Sequence, residues 1–139
     1  MVCSTLYPHP LVGRQTIEMP VTPQSYLDRI APARTFGFEH RLDKMREWGL
    51  IRGASLQNAV CFTSDGVLNE DGLRYPDEPC RHKLLDLIGD LALLGHPLIG
   101  KVVATLAGHA MHVALVDRIM SDPTSYEILT LDQLDLPAG

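Results

Sequence analysis

The chain has 139 residues, 45% of them hydrophobic and 21% charged, and a formal net charge of −5. That length suits one domain with a real hydrophobic core, and the composition is ordinary for a globular protein. The acidic balance, with Lys and Arg scattered, argues against nucleic acid as a partner, and no apolar run approaches the length of a membrane span. Cys3, Cys61 and Cys80 form no CxxC pair, so neither a disulfide framework nor a zinc knuckle is expected. Reduced thiols, and first residues without a signal-peptide pattern, predict a cytoplasmic protein.

Residues 1–13 are punctuated by Pro and Gly and read as extended, and Arg14–Met19 alternates as a strand does. Thr22 caps a short helix with Pro23 at its first position and Tyr26, Leu27 and Ile30 on its apolar side. Residues 33–38 read as a strand and 39–48 as a helix with Leu42, Met45 and Trp48 on one side; 59–63 is a second strand. Asp77 is placed to cap a long helix running to about Leu94, with Pro79 in its first turn and Gly95 as its stop. Leu98–Leu106 reads as a strand, His109–Met120 as a second long helix, and Tyr126–Leu129 as a short final strand. The pattern predicts an α+β two-layer sandwich: a mostly antiparallel sheet covered by two long helices, all in a single domain over 1–139.

Chemistry concentrates on the first long helix. His82, Asp86 and Asp90 are spaced four apart and form a polar line, while Leu84, Leu87, Ile88 and Leu91 form the opposite, core-facing side. An imidazole and a carboxylate so spaced can reach one zinc ion, which accepts N and O donors. A solvated polar face would give the same pattern. Because most of the helix is apolar, the line is expected to face a cleft or a protein surface. Gly108-His109 brings a second imidazole to the start of the last helix.

Ala33–Phe38, Gly53–Val60, Leu68–Glu78, Arg81–Leu91 and Ala107–Ala110 follow one another in a particular order and spacing. They resemble the second domain of the UDP-3-O-acyl-N-acetylglucosamine deacetylases, with the run from Asn69 to Asp90 the most specific and the likeness extending from Tyr7 to Leu129. The resemblance implies a zinc-dependent amide hydrolase that releases acetate from UDP-3-O-acyl-N-acetylglucosamine early in lipid A biosynthesis. It implies that His82 and Asp86 are zinc ligands. It makes His109 the protonated imidazole that stabilises the oxyanion and gives a proton to the leaving amine. Asp90 would hold that ring and favour its charge against the helix dipole. Thr35 would place a hydroxyl beside the oxyanion, Phe36 would line the sugar site, Lys83 would bind polar or phosphate groups, and Gly108 would touch substrate. Residues 33–63 resemble the strand–helix–strand insertion that forms an acyl-chain tunnel. Phe38, Leu50, Ala54, Val60 and Phe62 suit either that tunnel or a core.

The resemblance also implies a missing half. In the family a first domain supplies a Glu-His pair, the third zinc ligand and the general base. Glu39-His40 falls outside the matching position and reads as a solvated helix start. Pro79-Cys80 replaces a usual Phe-Val, which removes an apolar anchor at the helix start, and Met111-His112 replaces a usual Leu-Asn. His9, His96 and His112 carry no partner pattern and read as structural or surface residues. Three readings follow: a deacetylase half that works with a separate N-terminal domain, a non-catalytic module binding the acyl-sugar nucleotide or a protein, or a homodimer that joins its polar helix faces.

Overall fold

A computed structural model describes residues 1–134. Its strands are β1 (Val2–Tyr7), β2 (Gly13–Glu18), β3 (Thr35–Phe38), β4 (Ala59–Phe62) and β5 (Val103–Thr105), and its helices are α1 (Pro23–Arg29), α2 (Glu39–Glu47), α3 (Glu78–Leu91) and α4 (His109–Met120). The class is α+β, as expected, but the strand directions are mixed rather than mostly antiparallel. A three-stranded sheet has the order β2-β1-β5, and a separate two-stranded sheet pairs β3 with β4. β1 runs antiparallel to β2, with Cys3 opposite Ile17, and parallel to β5, with Cys3 opposite Ala104. Connectivity explains the parallel pairs. β3 and β4 are joined through α2, and β5 is reached only after α3, whereas antiparallel partners can be joined by a tight hairpin.

α3 packs on β1 and β2 and against α4. Leu84, Leu87 and Leu91 turn inward onto Cys3, Ile17, Met19 and Ala104, joined by Ile30, Cys80 and Val116. The four-residue spacing of the polar line therefore leaves His82, Asp86 and Asp90 on the side away from the sheet. Pro79 and Cys80 are fully buried, so the start of the helix is anchored despite the altered pair. A second cluster of Val12, Val60 and Phe62 lies beneath β3 and β4, with Tyr7, Phe36, Phe38, Val67 and Leu73 around it. Val60 and Phe62 are thus core, Phe38 is half-buried, and Leu50 and Ala54 are exposed.

Several element ends differ from the sequence reading. Asp77 does not cap α3 with its side chain; its carboxylate takes Arg81 Nε at 2.6 Å instead. The helix shortens to a 3-10 turn at Ala92–Leu94 before Gly95, whose φ of 74° suits a residue without Cβ. β5 is only three residues long because just Val2, Cys3 and Ser4 of β1 face it. Tyr126–Leu129 forms no strand. Leu27 and Trp48 are exposed at 62% and 65%, so their helices turn narrower apolar sides inward than expected. Among the described residues no helix is long and apolar enough to cross a membrane.

One buried ionic group fixes α3 against the start of β3. Glu78 Oε1 accepts from the Arg34 backbone N–H and from Arg34 Nε, both at 3.0 Å. Glu78 Oε2 accepts from the Arg74 backbone N–H at 2.7 Å, and Arg34 reaches on to Asp71 at 3.0 Å and the Gly72 carbonyl at 2.7 Å. Burial alone would raise the Glu78 carboxyl, but the Arg34 guanidinium and the backbone donors outweigh it and hold the carboxyl below its ordinary value. A carboxyl depressed by folding contributes stability above its unfolded pKa and loses it as pH falls through the folded one. Thermal stability is therefore expected to fall as pH drops below about 4.5, with a shallower fall in Glu78→Gln, measurable by melting curves across that range.

Candidate functional site

α3 and β3 meet along one wall of a cleft of about 260 Å³, lined by Tyr7, Thr35, Phe36, Phe38, His82, Lys83, Asp86 and His109, with Arg41 and Met45 reaching in from α2. Strand alternation does not carry Thr35 and Phe36 there alone. The Arg34–Glu78 group clamps the residue before Thr35 to the first turn of α3, one turn ahead of His82. The Phe36 ring packs perpendicular to that of Tyr7 at a centroid distance of 5.2 Å and stands 6.4 Å from the His82 ring. The wall beside the imidazole is thus aromatic.

His82 and Asp86 face each other, with His82 Nε2 3.4 Å from Asp86 Oδ1. The other ring nitrogen, Nδ1, lies 3.2 Å from the Ala33 carbonyl, which can only accept. That bond places the proton on Nδ1 and leaves the Nε2 lone pair directed at the cleft. Lys83 Nζ binds Asp86 Oδ2 at 2.8 Å, so this cation is tied to the carboxylate rather than free. His109 Nε2 lies 3.8 Å from the same oxygen, and its Nδ1 is 2.7 Å from Asp90 Oδ2. The expected residues Thr35, Phe36, His82, Lys83, Asp86 and His109 are therefore together, with Asp90 behind His109.

Gly108 is the residue before α4, and its backbone is extended with φ −144°. A Cβ there would meet nothing within 4 Å, so this fold does not itself require glycine at that position.

Two further residues belong to the surroundings of the site: His112, expected to be structural or at the surface, and Arg41. His112 is buried, and its Nδ1 lies 2.8 Å from Asp90 Oδ2. The available signal was its place three residues after His109, on the same side of a helix. Arg41 adds a second cation to the cleft beside Phe38. His9 is structural, as expected, with its ring 4.9 Å from that of Phe62 and its Nε2 3.1 Å from the Thr63 carbonyl. His40 is exposed and Cys80 Sγ donates to the Cys3 carbonyl at 3.3 Å, so neither joins the cleft.

Two groups of donors can be weighed for a metal. Asp90, His109 and His112 have donor atoms all within 4.8 Å of one another. In that group, however, the carboxylate oxygen Asp90 Oδ2 is already taken by the Nδ1–H donors of both rings. His82 and Asp86 keep an oriented, uncommitted nitrogen beside a carboxylate oxygen.

Residues 1–121 match the family model described as UDP-3-O-acyl N-acetylglycosamine deacetylase. The chain belongs to that family. It is 67% identical over 96% of its length to a UDP-3-O-acyl-N-acetylglucosamine deacetylase of Solibacter usitatus, of which it covers 45%. Proteins of the same name from Myxococcus xanthus and Chromobacterium violaceum are 42% and 46% identical, over 96% and 94% of this chain and 43% and 44% of their own. The chain thus spans less than half the length of these deacetylases, and its matched region contains the entire cleft wall described above.

Proposed function

We propose that this chain forms one half of the active site of a zinc-dependent deacetylase acting on UDP-3-O-acyl-N-acetylglucosamine in lipid A biosynthesis. The observation that carries the proposal is the His82–Asp86 pair facing the cleft that Thr35, Phe36, Lys83 and His109 line. Two donors on one zinc, each about 2.05 Å away at the tetrahedral angle, stand about 3.3–3.4 Å apart. The 3.4 Å between His82 Nε2 and Asp86 Oδ1 fits that edge. Held by these two residues, zinc supplies Lewis acidity and acidifies water.

The chain's own residues do the rest of this half's work. Thr35 sets a hydroxyl beside the oxyanion, and Phe36 forms the wall of the sugar site. Lys83 binds polar groups of the substrate by exchanging its Asp86 contact for them. Gly108 lets substrate pass close to the backbone, which accounts for a glycine that the fold does not demand. His109 hands a proton from Nε2 to the departing amine, held by Asp90 through Nδ1. Residues 33–63 shape the acyl-chain site, for which Phe38 and Met45 offer apolar cleft surface. Burial of Val60 and Phe62 assigns them to the core beneath it.

A separate N-terminal domain supplies the third ligand and the general base, its Glu-His pair. The exposed apolar residues support a covering partner. α4 buries only His112 and Val116, while Met111 is 61%, Val103 61% and Ile99 68% exposed. Three free, buried cysteines suit a reducing compartment, and we place the protein in the cytoplasm.

Zinc titration tests the division of ligands. Because zinc sites in proteins ordinarily use three or four protein ligands, the isolated chain is expected to bind zinc with a Kd weaker than micromolar. Adding the N-terminal domain should bring one tightly held zinc per pair. A submicromolar site in the isolated chain, abolished by His82→Ala, would place a third ligand within this chain and contradict the reading.

A further inference from the structure

Asp90 takes two imidazoles on one oxygen. His109 Nδ1 lies 2.7 Å and His112 Nδ1 2.8 Å from Oδ2. A carboxylate accepts only, so each ring must carry its proton on Nδ1, and the two N–H donors occupy both lone pairs of that oxygen. The two rings are unequal in their surroundings. The His109 side chain is 65% exposed, at the first residue of α4, whereas that of His112 is 4% exposed, one turn further on.

An exposed imidazole has several rotamers open to it and needs an anchor. Asp90 provides one, but a carboxylate held only by that same mobile ring would move with it. His112 breaks the circularity: it is packed between α3 and α4 and has no freedom to follow. We propose that His112 is a positioning residue for His109, fixing the Asp90 carboxylate from the buried side so that the exposed ring is held with Nε2 toward Asp86. This rests on the reading of His109 as the proton donor given above.

The charge balance agrees. Burial would raise the Asp90 carboxyl, and the hydrogen bonds from His112 and His109 outweigh it and hold the carboxyl below its ordinary value. A histidine kept merely to fill space between two helices has no need to aim Nδ1 at a carboxylate oxygen. Leucine fills similar space without a donor. Asparagine carries its amide nitrogen on Cγ, where imidazole carries Nδ1, and can donate the same bond.

The test uses the deacetylase with both halves present. His112→Leu is expected to lower kcat about 10–100-fold, the range typical of groups that orient a reacting residue through hydrogen bonds, with KM and zinc content unchanged. His112→Asn should recover kcat to within about threefold of the parent, as expected if only the oriented donor matters. Nitrogen-15 spectra of the imidazoles provide a readout independent of turnover and, in the unaltered protein, of any variant's folding. In the unaltered protein the neutral His112 ring should carry its proton on Nδ1, and the hydrogen-bonded Nδ1 proton of His109 should persist in His112→Asn and weaken in His112→Leu. A His112 protonated on Nε2 alone would overturn the proposal, as would a folded His112→Leu with parental kcat, or an Asn variant as impaired as the Leu one. His109→Ala separates the two levels. If it retains full activity, the role of His109 falls and the proposal with it. If it is inactive while His112→Leu is not, only the proposal falls.

Discussion

Replacing His109 by alanine in the complete deacetylase is expected to lower kcat by about 10²–10⁴-fold, the usual contribution of a positioned general acid. Zinc content should not change, because Nε2 of that ring lies 3.8 Å from the Asp86 carboxylate and the ring is anchored elsewhere, on Asp90. The melting temperature should hardly move either, since the side chain is 65% exposed. Asp86→Ala gives the contrasting pattern: activity and zinc are lost together. Kinetics paired with metal analysis on the two variants separate the roles. Loss of zinc from His109→Ala would instead make that imidazole a ligand and require a different assignment of the site.

The second large effect concerns stability. Arg34→Met is expected to destabilise the fold by about 3–5 kcal/mol, because removing one partner of a buried pair strands the other charge. Glu78 is fully buried and Arg34 is 4% exposed, so water cannot replace the lost guanidinium. Damage should extend to the site, since the same group ties the start of β3, and with it Thr35 and Phe36, to the turn of α3 that precedes His82. Denaturant titration measures the first effect. A loss below about 1 kcal/mol, the level of an exposed pair, would show that the pair is not the clamp described here.

Much of the local structure was legible because it depends on neighbours in sequence. Thr22 and Pro23 mark the start of α1, where the Thr22 hydroxyl accepts from the Ser25 backbone N–H and Ser25 Oγ accepts from that of Thr22. The polar line on α3 followed from its period, and α4 begins and ends where its pattern does. Long-range pairing was not legible. Glu78 stands in the first turn of α3, yet its partner lies 44 residues away. His112 looked unpartnered because the carboxylate it binds is 22 residues back on another helix. The length of β5 is set by its pairing with only Val2, Cys3 and Ser4 of β1, which no propensity reports.

The specific run from Asn69 to Asp90 mixes two kinds of information. Asn69 is buried, accepts the Cys61 N–H and donates to the Leu56 and Ala59 carbonyls, so it ties β4 to its surroundings. Tyr75 donates to the Asp28 carbonyl, Arg81 donates to that of Arg29, and the Arg81 guanidinium lies 4.3 Å over the Tyr75 ring. These residues build the frame. His82, Lys83, Asp86 and Asp90 occupy the cleft side of that frame or stand directly behind it. A resemblance carried by such a run therefore marks the fold and the site together, and only geometry separates them.

The proposed function makes this chain one half of a deacetylase site. Its most direct test is acetate release from UDP-3-O-acyl-N-acetylglucosamine on mixing the chain with an N-terminal domain that bears the Glu-His pair. Neither part alone should release acetate. The mixture should, with activity lost on chelation, restored by zinc, and absent when the chain carries His82→Ala. A folded mixture that binds the substrate without releasing acetate would contradict the account and favour a binding module instead.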